Sequence, residues 1–137
     1  MSLLVVDASA LVASLIDDDR AGASTAAALA GRSLAAPELL LFEVANVLRR
    51  LEVSGRISAE TAALAHGDVL DLPVQLWPYA PLAEEAWRLR GSLTMYDAAY
   101  VALAVNLKAP LVTLDQKLAR PAAAWCRVVV PGEDVQR

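Results

Sequence analysis

The sequence predicts an α/β fold, a three-layer α/β/α sandwich around a central, mainly parallel sheet. Short apolar runs alternate along the chain with longer segments of helical period, an order typical of parallel strands joined by crossover helices. Hydrophobic residues make up 57% of the chain and charged residues 20%, against roughly 45–50% and about 25% in ordinary globular proteins. This surplus fits a sheet buried on both faces, an interface with another chain, or both.

The strand candidates are short and rich in valine, leucine or alanine. They cover residues 3–6, 34–36, 74–77, 111–113 and 127–130. Helical patterns fill the intervals, at residues 9–17, 20–31, 38–54, 58–70, 80–92, 96–107 and 115–124. Because the 137 residues contain no repeat and no low-complexity linker, we expect residues 1–137 to form a single domain.

Residues with strong positional preferences support several helix limits. The alanine-rich stretch 21–30 is predicted to be helical, because alanine has the highest helix propensity. Pro37 suits the start of the third helix and Gly55 its end. Ser58 suits the N-cap of the fourth helix, since its hydroxyl can accept from a free backbone N–H.

Composition argues against membrane and disulfide-bonded classes. Charged residues, proline or glycine interrupt every apolar run before the length of about 20 residues that spanning requires. Met1 and Ser2 lead directly into a strand pattern, with no signal-peptide pattern. We therefore expect a cytoplasmic protein that does not enter membranes. Cys126 is the only cysteine, which excludes an internal disulfide and a CxxC site.

The net charge of −4 argues against nonspecific coating of nucleic acid, although it allows a local basic patch. Most basic side chains of such a protein lie on solvated helix faces. The possible phosphate contacts are Arg49, Arg50, Arg56, Arg88, Arg90, Lys108, Lys117 and Arg120.

Two acids follow predicted strands, where ligands bind in open parallel sheets. Asp7 follows the first strand and Asp115 the fourth. Both positions also have an ordinary explanation as helix caps. Asp7 is suited to be an N-cap. Near Asp115, Thr113 and Gln116 have the T-x-x-Q order of a capping box. Spacing does not separate capping from a functional role, and Thr113 is also suited to support Asp115 or a bound water.

The other two acids lie in predicted helices. Asp97 begins an apolar helical segment, where Thr94 and Asp97 have capping-box spacing. Glu43 shares a helix flank with Asn46 and Arg50, at about 100° per residue. The spacing from Glu43 to Arg50 is too long for a simple helix ion pair, so this flank is either a solvated edge or a functional face.

Considered together, the four acids predict a cation site. Carboxylates within a few ångströms repel one another and raise each other's pKa values unless a cation compensates. None of the four has an obvious basic neighbour in the sequence. Because all-oxygen ligands select a hard ion, Mg²⁺ or Mn²⁺ is the expected metal.

The segments that contain these acids resemble PIN-domain ribonucleases, and most closely the VapC toxins of bacterial toxin–antitoxin pairs. They follow the order and approximate spacing of that family across nearly the whole chain. The matching segments are residues 5–11, 42–48, 94–104 and 111–115.

The resemblance implies a metal-dependent endoribonuclease that hydrolyses RNA phosphodiester bonds, as the toxin of a type II toxin–antitoxin pair. It also implies a PIN-like fold, Mg²⁺ or Mn²⁺ as cofactor, a cognate VapB-type antitoxin that covers the active site, and a homodimer. The implied catalytic and metal-site acids are Asp7, Glu43, Asp97 and Asp115. The implied supporting polar groups are Ser9, Asn46 and Thr113.

One departure from the family concerns a second metal. Many relatives have a further acid shortly after the fourth, whereas this chain has Lys117 and Arg120 there. The case for two metal ions is therefore weaker than the case for one. His66, the only histidine, lies away from these motifs and is assigned a structural or surface role.

Four other classes are considered as alternatives. An acid-cluster phosphatase of D-x-D-x-T type requires a second acid where this chain has Ser9, and a phospho-acceptor receiver domain requires an acidic pair before the first helix. A Ser-His-Asp hydrolase requires a G-x-S-x-G elbow, which is absent from the sequence. A PIN-like binding module with little catalysis would have an incomplete set of acids, and this set is complete.

Overall fold

The computed structural model describes residues 2–133, which form five strands and seven α-helices. The strands are β1 (Leu3–Val6), β2 (Ser33–Pro37), β3 (Val74–Trp77), β4 (Leu111–Val112) and β5 (Val128–Val129). The helices are α1 (Ala8–Ile16), α2 (Arg20–Leu29), α3 (Leu39–Val53), α4 (Ala59–Asp71), α5 (Ala83–Arg88), α6 (Met95–Leu107) and α7 (Gln116–Ala122). The predicted α/β/α sandwich is confirmed.

The five strands form one sheet in the order β3-β2-β1-β4-β5, and every neighbouring pair is parallel. The chain moves outward from β1 to β3, then returns to the other side of β1 and moves outward again to β5. Right-handed crossovers therefore place α1–α4 on one face and α5–α7 on the other. The strand order reverses between β1 and β4, and this switch point is where open α/β sheets bind ligands.

The centre of the sheet is buried on both faces, which accounts for part of the apolar surplus. Val5 and Val6 of β1 and Leu111 of β4 are completely buried. Helix α6 crosses behind the central strands, and residues 98–104 are all buried. Since no side of this central segment of α6 faces solvent, it needs no polar stripe.

Most predicted helix limits agree with the structure. The Ser58 hydroxyl accepts from the backbone N–H of Thr61, and Gly55 follows the end of α3 with a positive φ of 79°, a conformation that glycine adopts without a steric penalty. The assignment of Pro37 to the start of α3 was wrong, because Pro37 is the last residue of β2. A proline is tolerated at that place because the strand ends there.

The longest predicted helix of the second half, 80–92, is shorter in the structure. A single 3₁₀ turn (Ala80–Leu82) leads into α5, which ends at Arg88. Arg90 then stacks on the ring of Trp87 at 4.5 Å and donates to its backbone carbonyl. Within residues 2–133, no helix combines the length and the apolar composition needed to cross a membrane.

Candidate active site

A cleft of about 510 Å³ opens at the switch point between β1 and β4. It lies between α1 and α3, with the N-terminal ends of α6 and α7 closing one end. The cleft brings together the four predicted acids, Asp7, Glu43, Asp97 and Asp115. Four elements that are distant in sequence thus contribute one carboxylate each.

Asp7 is the most constrained of the four acids, with 6% of its surface exposed. It is the N-cap of α1, as expected, and its Oδ1 accepts from the backbone N–H of Ala10 at 3.0 Å and from the Ser9 hydroxyl at 2.8 Å. Its Oδ2 accepts from the Thr113 hydroxyl at 2.6 Å. Both oxygens are therefore held in place by donors.

Thr113 connects two strand ends. Its fully buried hydroxyl donates to Asp7 and accepts from the backbone N–H of Asp115 at 3.0 Å. The alternative of a T-x-x-Q cap formed by Thr113 and Gln116 is not found, because Asp115 itself is the N-cap of α7 and accepts from the backbone N–H of Lys117. Thr113 supports the acid of the neighbouring strand, Asp7, rather than the carboxylate of Asp115.

Ser9 is part of the same network. Its hydroxyl accepts from the backbone N–H of Leu114 at 3.0 Å, in addition to its bond to Asp7. The hydroxyl oxygens of Ser9 and Thr113 lie 3.3 Å apart. The start of α1 and the end of β4 are therefore joined by side-chain hydrogen bonds as well as by the sheet.

Glu43 receives a hydrogen bond from a residue that sequence reasoning did not include in the site. The buried Tyr100 on α6 donates its hydroxyl to Glu43 Oε1 at 2.7 Å. Burial and the adjacent charge of Glu43 raise the pKa of Tyr100 far above its ordinary value, so the phenol stays protonated and remains a donor. Buried tyrosines usually have a hydrogen-bond partner, and this polar group inside an apolar segment was the available signal.

Asp97 and Asp115 lie on the outer side of the cleft. Asp97 follows the N-cap of α6, Thr94, whose hydroxyl accepts from the backbone N–H of Asp97 at 3.2 Å. This is one half of the predicted capping box. In the described part of the chain, no donor is bonded to the Asp97 carboxylate, which is therefore oriented mainly by its position in the first turn of α6.

The carboxylates affect one another around the cleft. Burial raises the pKa of Asp7, and the charge of Asp115 raises it further. Burial raises the pKa of Glu43, with additional repulsion from Asp7 and Asp97. Burial also raises the pKa of Asp97, again with a contribution from Asp115. Each acid thus lies within the electrostatic reach of two others.

The donor set fits a hard cation that keeps part of its water shell. Among residues 2–133, no three histidine, cysteine, aspartate or glutamate side chains are arranged to hold a metal ion directly. Mg²⁺ needs no such cage, since it commonly binds one or two carboxylates, several waters and the phosphates of its substrate. Four mutually repelling carboxylates, with the pKa values of Asp7, Glu43 and Asp97 raised, match that chemistry, because a cation would relieve their repulsion.

The remaining predicted groups differ in their relation to the cleft. Asn46 lies in it, one helical turn from Glu43, and its amide makes no hydrogen bond to an acid among the described contacts. Arg50 and Arg56 line the end opposite the acids, beside Asp17. His66 is exposed on α4, away from the cleft.

Comparison with known proteins gives a consistent result. Residues 4–124 match the sequence profile of the PIN domain. The chain is 38% identical over 128 residues to Ribonuclease VapC9 of Mycobacterium tuberculosis, and the alignment covers 93% of this chain and 98% of that protein.

Solved structures show the same fold. The crystal structure of VapC20 from Mycobacterium tuberculosis, described as a sarcin-ricin loop cleaving toxin, superposes with a TM-score of 0.70 at 20% identity, over 93% of this chain and 99% of that one. VapBC2 from Rickettsia felis, bound to a DNA fragment from their promoter, gives a TM-score of 0.64 at 13% identity, over 93% and 97%.

Proposed function

The chain belongs to the PIN-domain family, in the branch of the VapC ribonucleases, and on that premise we propose that it is the endoribonuclease toxin of a toxin–antitoxin pair. It hydrolyses RNA phosphodiester bonds with the help of a divalent metal ion. The RNA that it cuts lies across the acidic end of the cleft between α1 and α3.

The observation that carries this proposal is the convergence of four carboxylates without a compensating base. Within residues 2–133, the ion pairs within 4.0 Å are those of Arg88 with Glu84 and Glu85, far from the cleft. Keeping several mutually repelling, partly buried acids costs stability. A site with that cost is typical of an enzyme whose metal and substrate offset it.

The residues that would hold Mg²⁺ or Mn²⁺ are Asp7, Asp97 and Asp115, directly or through water. When bound, the ion lowers the pKa of a water molecule and neutralises charge that grows on the phosphate. Lys117 and Arg120 occupy the place where many relatives have a further acid, so we propose one ion rather than two.

Glu43 orients the attacking water. Because Tyr100 occupies Oε1, Glu43 accepts the hydrogen bond of the water at Oε2 and receives its proton as the phosphorus–oxygen bond forms. Burial raises the pKa of Glu43 above its ordinary value, which brings it closer to the pH at which a general base is effective. The bond from phosphorus to the leaving oxygen breaks in line with the attacking water, and the leaving oxygen takes up a proton from solvent.

The fixed groups around Asp7 keep the geometry constant during the reaction. Thr113, Ser9 and the N–H of Ala10 hold its carboxylate from three sides. Preorganised groups of this kind need not reorient when charge develops on the phosphate. Asn46 lies within the cleft, where its amide reaches the substrate.

The proposed partners are a cognate VapB-type antitoxin, which covers the cleft, and a second copy of the chain. Exposed aromatic residues beside the cleft support a protein interface: Phe42 is 80% exposed and Tyr96 68% exposed. They flank a shallow cavity of about 630 Å³, and large exposed apolar groups of this kind are characteristic of contact surfaces.

The test is RNA cleavage by the purified native chain and by Asp97→Asn, with Mg²⁺ or Mn²⁺ added. We expect the native chain to cleave and the variant to lose about 100- to 1,000-fold of that rate, the magnitude found when a group that stabilises the transition state is removed. Asp68→Asn is the matched control, because Asp68 is exposed on α4 and outside the cleft. Mapping of RNA 5′ ends after brief expression in cells would identify the target.

Two results would contradict the proposal. One is an absence of metal-dependent cleavage by the folded native chain on total cellular RNA. The other is full activity in both Asp97→Asn and Asp7→Asn. Formation of an aspartyl-phosphate from a phosphodonor would instead indicate the phosphatase or receiver class.

A further inference from the structure

The cleft contains two arginines and Asp17 in addition to the four carboxylates. It runs along α1 from Asp7 to Asp17, and along α3 from Glu43 to Arg50. At about 1.5 Å per helical residue, these spans are about 15 Å and about 10 Å long. The lining therefore extends well beyond the acids, and at its far end stand two guanidinium groups, those of Arg50 and Arg56.

The two arginines differ in what surrounds them. Burial and the charge of Asp19 raise the pKa of Asp17, and the charge of Arg56 opposes this rise. Arg56 therefore lies near Asp17. Arg50 is exposed, and no acid of residues 2–133 lies within ion-pair distance of it. Of the eight basic residues that the sequence offered as phosphate contacts, only these two line the cleft in the described part of the chain.

We propose that Arg50, assisted by Arg56, forms a phosphate-binding subsite for the RNA strand on the side of the cleft opposite the acids. The subsite holds a backbone phosphate next to the scissile one and thereby positions the strand across the four carboxylates. This inference rests on the proposed ribonuclease function, whose substrate it would position.

Charge explains why such a subsite is needed. A cleft with only carboxylates repels RNA at every phosphate that the metal ion does not contact. A guanidinium group presents several donors in a planar fork that matches phosphate oxygens. Since Arg50 lies two helical turns from Glu43 on the same flank, with Asn46 between them, one face of α3 offers a base, an amide and a cation along the path of the strand.

The ordinary alternative is a structural role for Arg50. It lies in the last turn of α3, where a positive charge interacts favourably with the helix dipole. Arg49 is the neighbouring control, because it is also exposed near the end of α3 and lines the adjoining shallow cavity rather than the cleft. An effect of helix stabilisation would appear in both variants, whereas an effect of phosphate binding would appear only at Arg50.

The experiment compares the native chain with Arg50→Ala, Arg50→Lys and Arg49→Ala. Binding of a short single-stranded RNA of random sequence is measured in EDTA over a series of salt concentrations, and cleavage is measured with Mg²⁺. We expect Arg50→Ala to weaken binding about tenfold and to flatten the slope of log K against log salt by about 0.7, the value for one phosphate contact on a single strand. Cleavage should show this as a higher KM with little change in kcat.

The other variants are expected to separate charge from structure. Arg50→Lys should restore the salt slope, because it keeps the charge, but only part of the affinity, because it lacks the planar fork. Arg49→Ala should match the native chain. Asp17→Asn should strengthen binding, by up to about fivefold, since it removes an anion near Arg56.

A single neutral methylphosphonate, moved along the RNA backbone, locates the contact. In the native chain, a methylphosphonate at one position next to the scissile phosphate should weaken RNA binding. Arg50→Ala should bind this RNA as well as it binds the unmodified RNA. Equal RNA binding and equal salt slopes in the native chain and Arg50→Ala would overturn the subsite. This holds even if the variant binds the antitoxin less well. Loss of cleavage in Asp97→Asn together with unchanged Arg50→Ala would leave the ribonuclease function intact and reject only the subsite.

Discussion

The inner and outer sides of the acid cluster are built differently. On the inner side, Asp7 and Glu43 each receive a hydrogen bond from a buried hydroxyl, from Thr113 at 2.6 Å and Tyr100 at 2.7 Å. On the outer side, Asp97 and Asp115 begin helices, and among the described contacts their carboxylates receive only a backbone N–H, that of Lys117 on Asp115. The inner acids are fixed by the core, whereas the outer acids are free to adjust.

This difference suggests a division of work. In the proposed metal site, the inner acids would keep constant positions, because their hydrogen-bond donors orient them, and the outer acids would complete the ligand set together with water. Holding the inner acids in place costs the protein stability, because Asp7 is buried, Glu43 is half-buried, and the two repel one another. Such a conflict between stability and function is common at active sites.

The largest expected effect is that of Asp7→Asn, which removes an inner charge but keeps the shape of the side chain. Cleavage should fall by about 100- to 1,000-fold. The melting temperature of the metal-free chain should also depend less on pH, because the raised pKa of Asp7 means that its ionisation destabilises the folded state and the amide does not ionise. RNA cleavage and thermal unfolding in EDTA test this. An unchanged pH dependence of the melting temperature in this variant would contradict the inner-side description.

The second effect is that of Thr113→Val, which removes the hydroxyl between the two strand ends. Asp7 loses a donor and the N–H of Asp115 loses its acceptor, so we expect a loss of about 1–3 kcal/mol in the free energy of unfolding and a 10- to 100-fold slower reaction. Thr25→Val is the control, because Thr25 is also fully buried but bonds only to a helix carbonyl. Equal effects of both variants in urea unfolding would argue against a specific role for Thr113.

A smaller effect is expected for Tyr100→Phe, which leaves Glu43 without its donor. The rate should fall about tenfold, as expected for the loss of one hydrogen bond to a charged group. Tyr96→Phe is the control, because Tyr96 is on the same helix and its ring is exposed. An unchanged rate in Tyr100→Phe, measured at saturating RNA, would show that the hydroxyl does not orient Glu43.

The smallest effect concerns pH and metal. The folded, metal-free chain holds protons on Asp7, Glu43 and Asp97 at pH values where the unfolded chain has released them, because their pKa values are raised by burial. The stability of this state therefore decreases as pH rises from about 4 through the raised pKa values. We expect the melting temperature in EDTA to be a few degrees higher near pH 5 than at neutral pH.

Metal should reverse this dependence. Added Mg²⁺ is expected to raise the melting temperature more at neutral pH, where the acids are ionised, than near pH 5. Asp7→Asn should show a weaker response to both pH and metal. An equal response of the native chain and this variant would speak against a shared site.

Local features were predicted well from the sequence. Asp7 was expected to cap α1, Ser58 to cap α4 and Gly55 to follow α3, and each does so. These features depend on a few neighbouring residues and on backbone conformations that particular side chains favour. The assignment of Pro37 was wrong, because the sheet extended β2 through Pro37. The alternative T-x-x-Q cap is not found, because the sheet directed Thr113 towards Asp7.

Contacts between distant segments could not be predicted in this way. Tyr100 and Glu43 are 57 residues apart, and Thr113 and Asp7 are 106 residues apart. Their meeting depends on which strand lies beside β1, and alternation of strands and helices does not specify that order. A polar group in a buried helix indicates that a partner exists, but not which residue it is.

The sequence by itself determined the class of fold, the positions of the four acids at the ends of strands and on helix flanks, and the hard-cation chemistry that such acids favour. Only the tertiary structure decided that β4 lies beside β1, that the inner acids are held by Thr113 and Tyr100, and that Arg50 lies in the same cleft as Glu43. The physical reason is one of scale. Periodicity places a residue on a face of its own element, whereas a hydrogen bond requires two groups within about 3 Å, a distance set by the packing of whole elements.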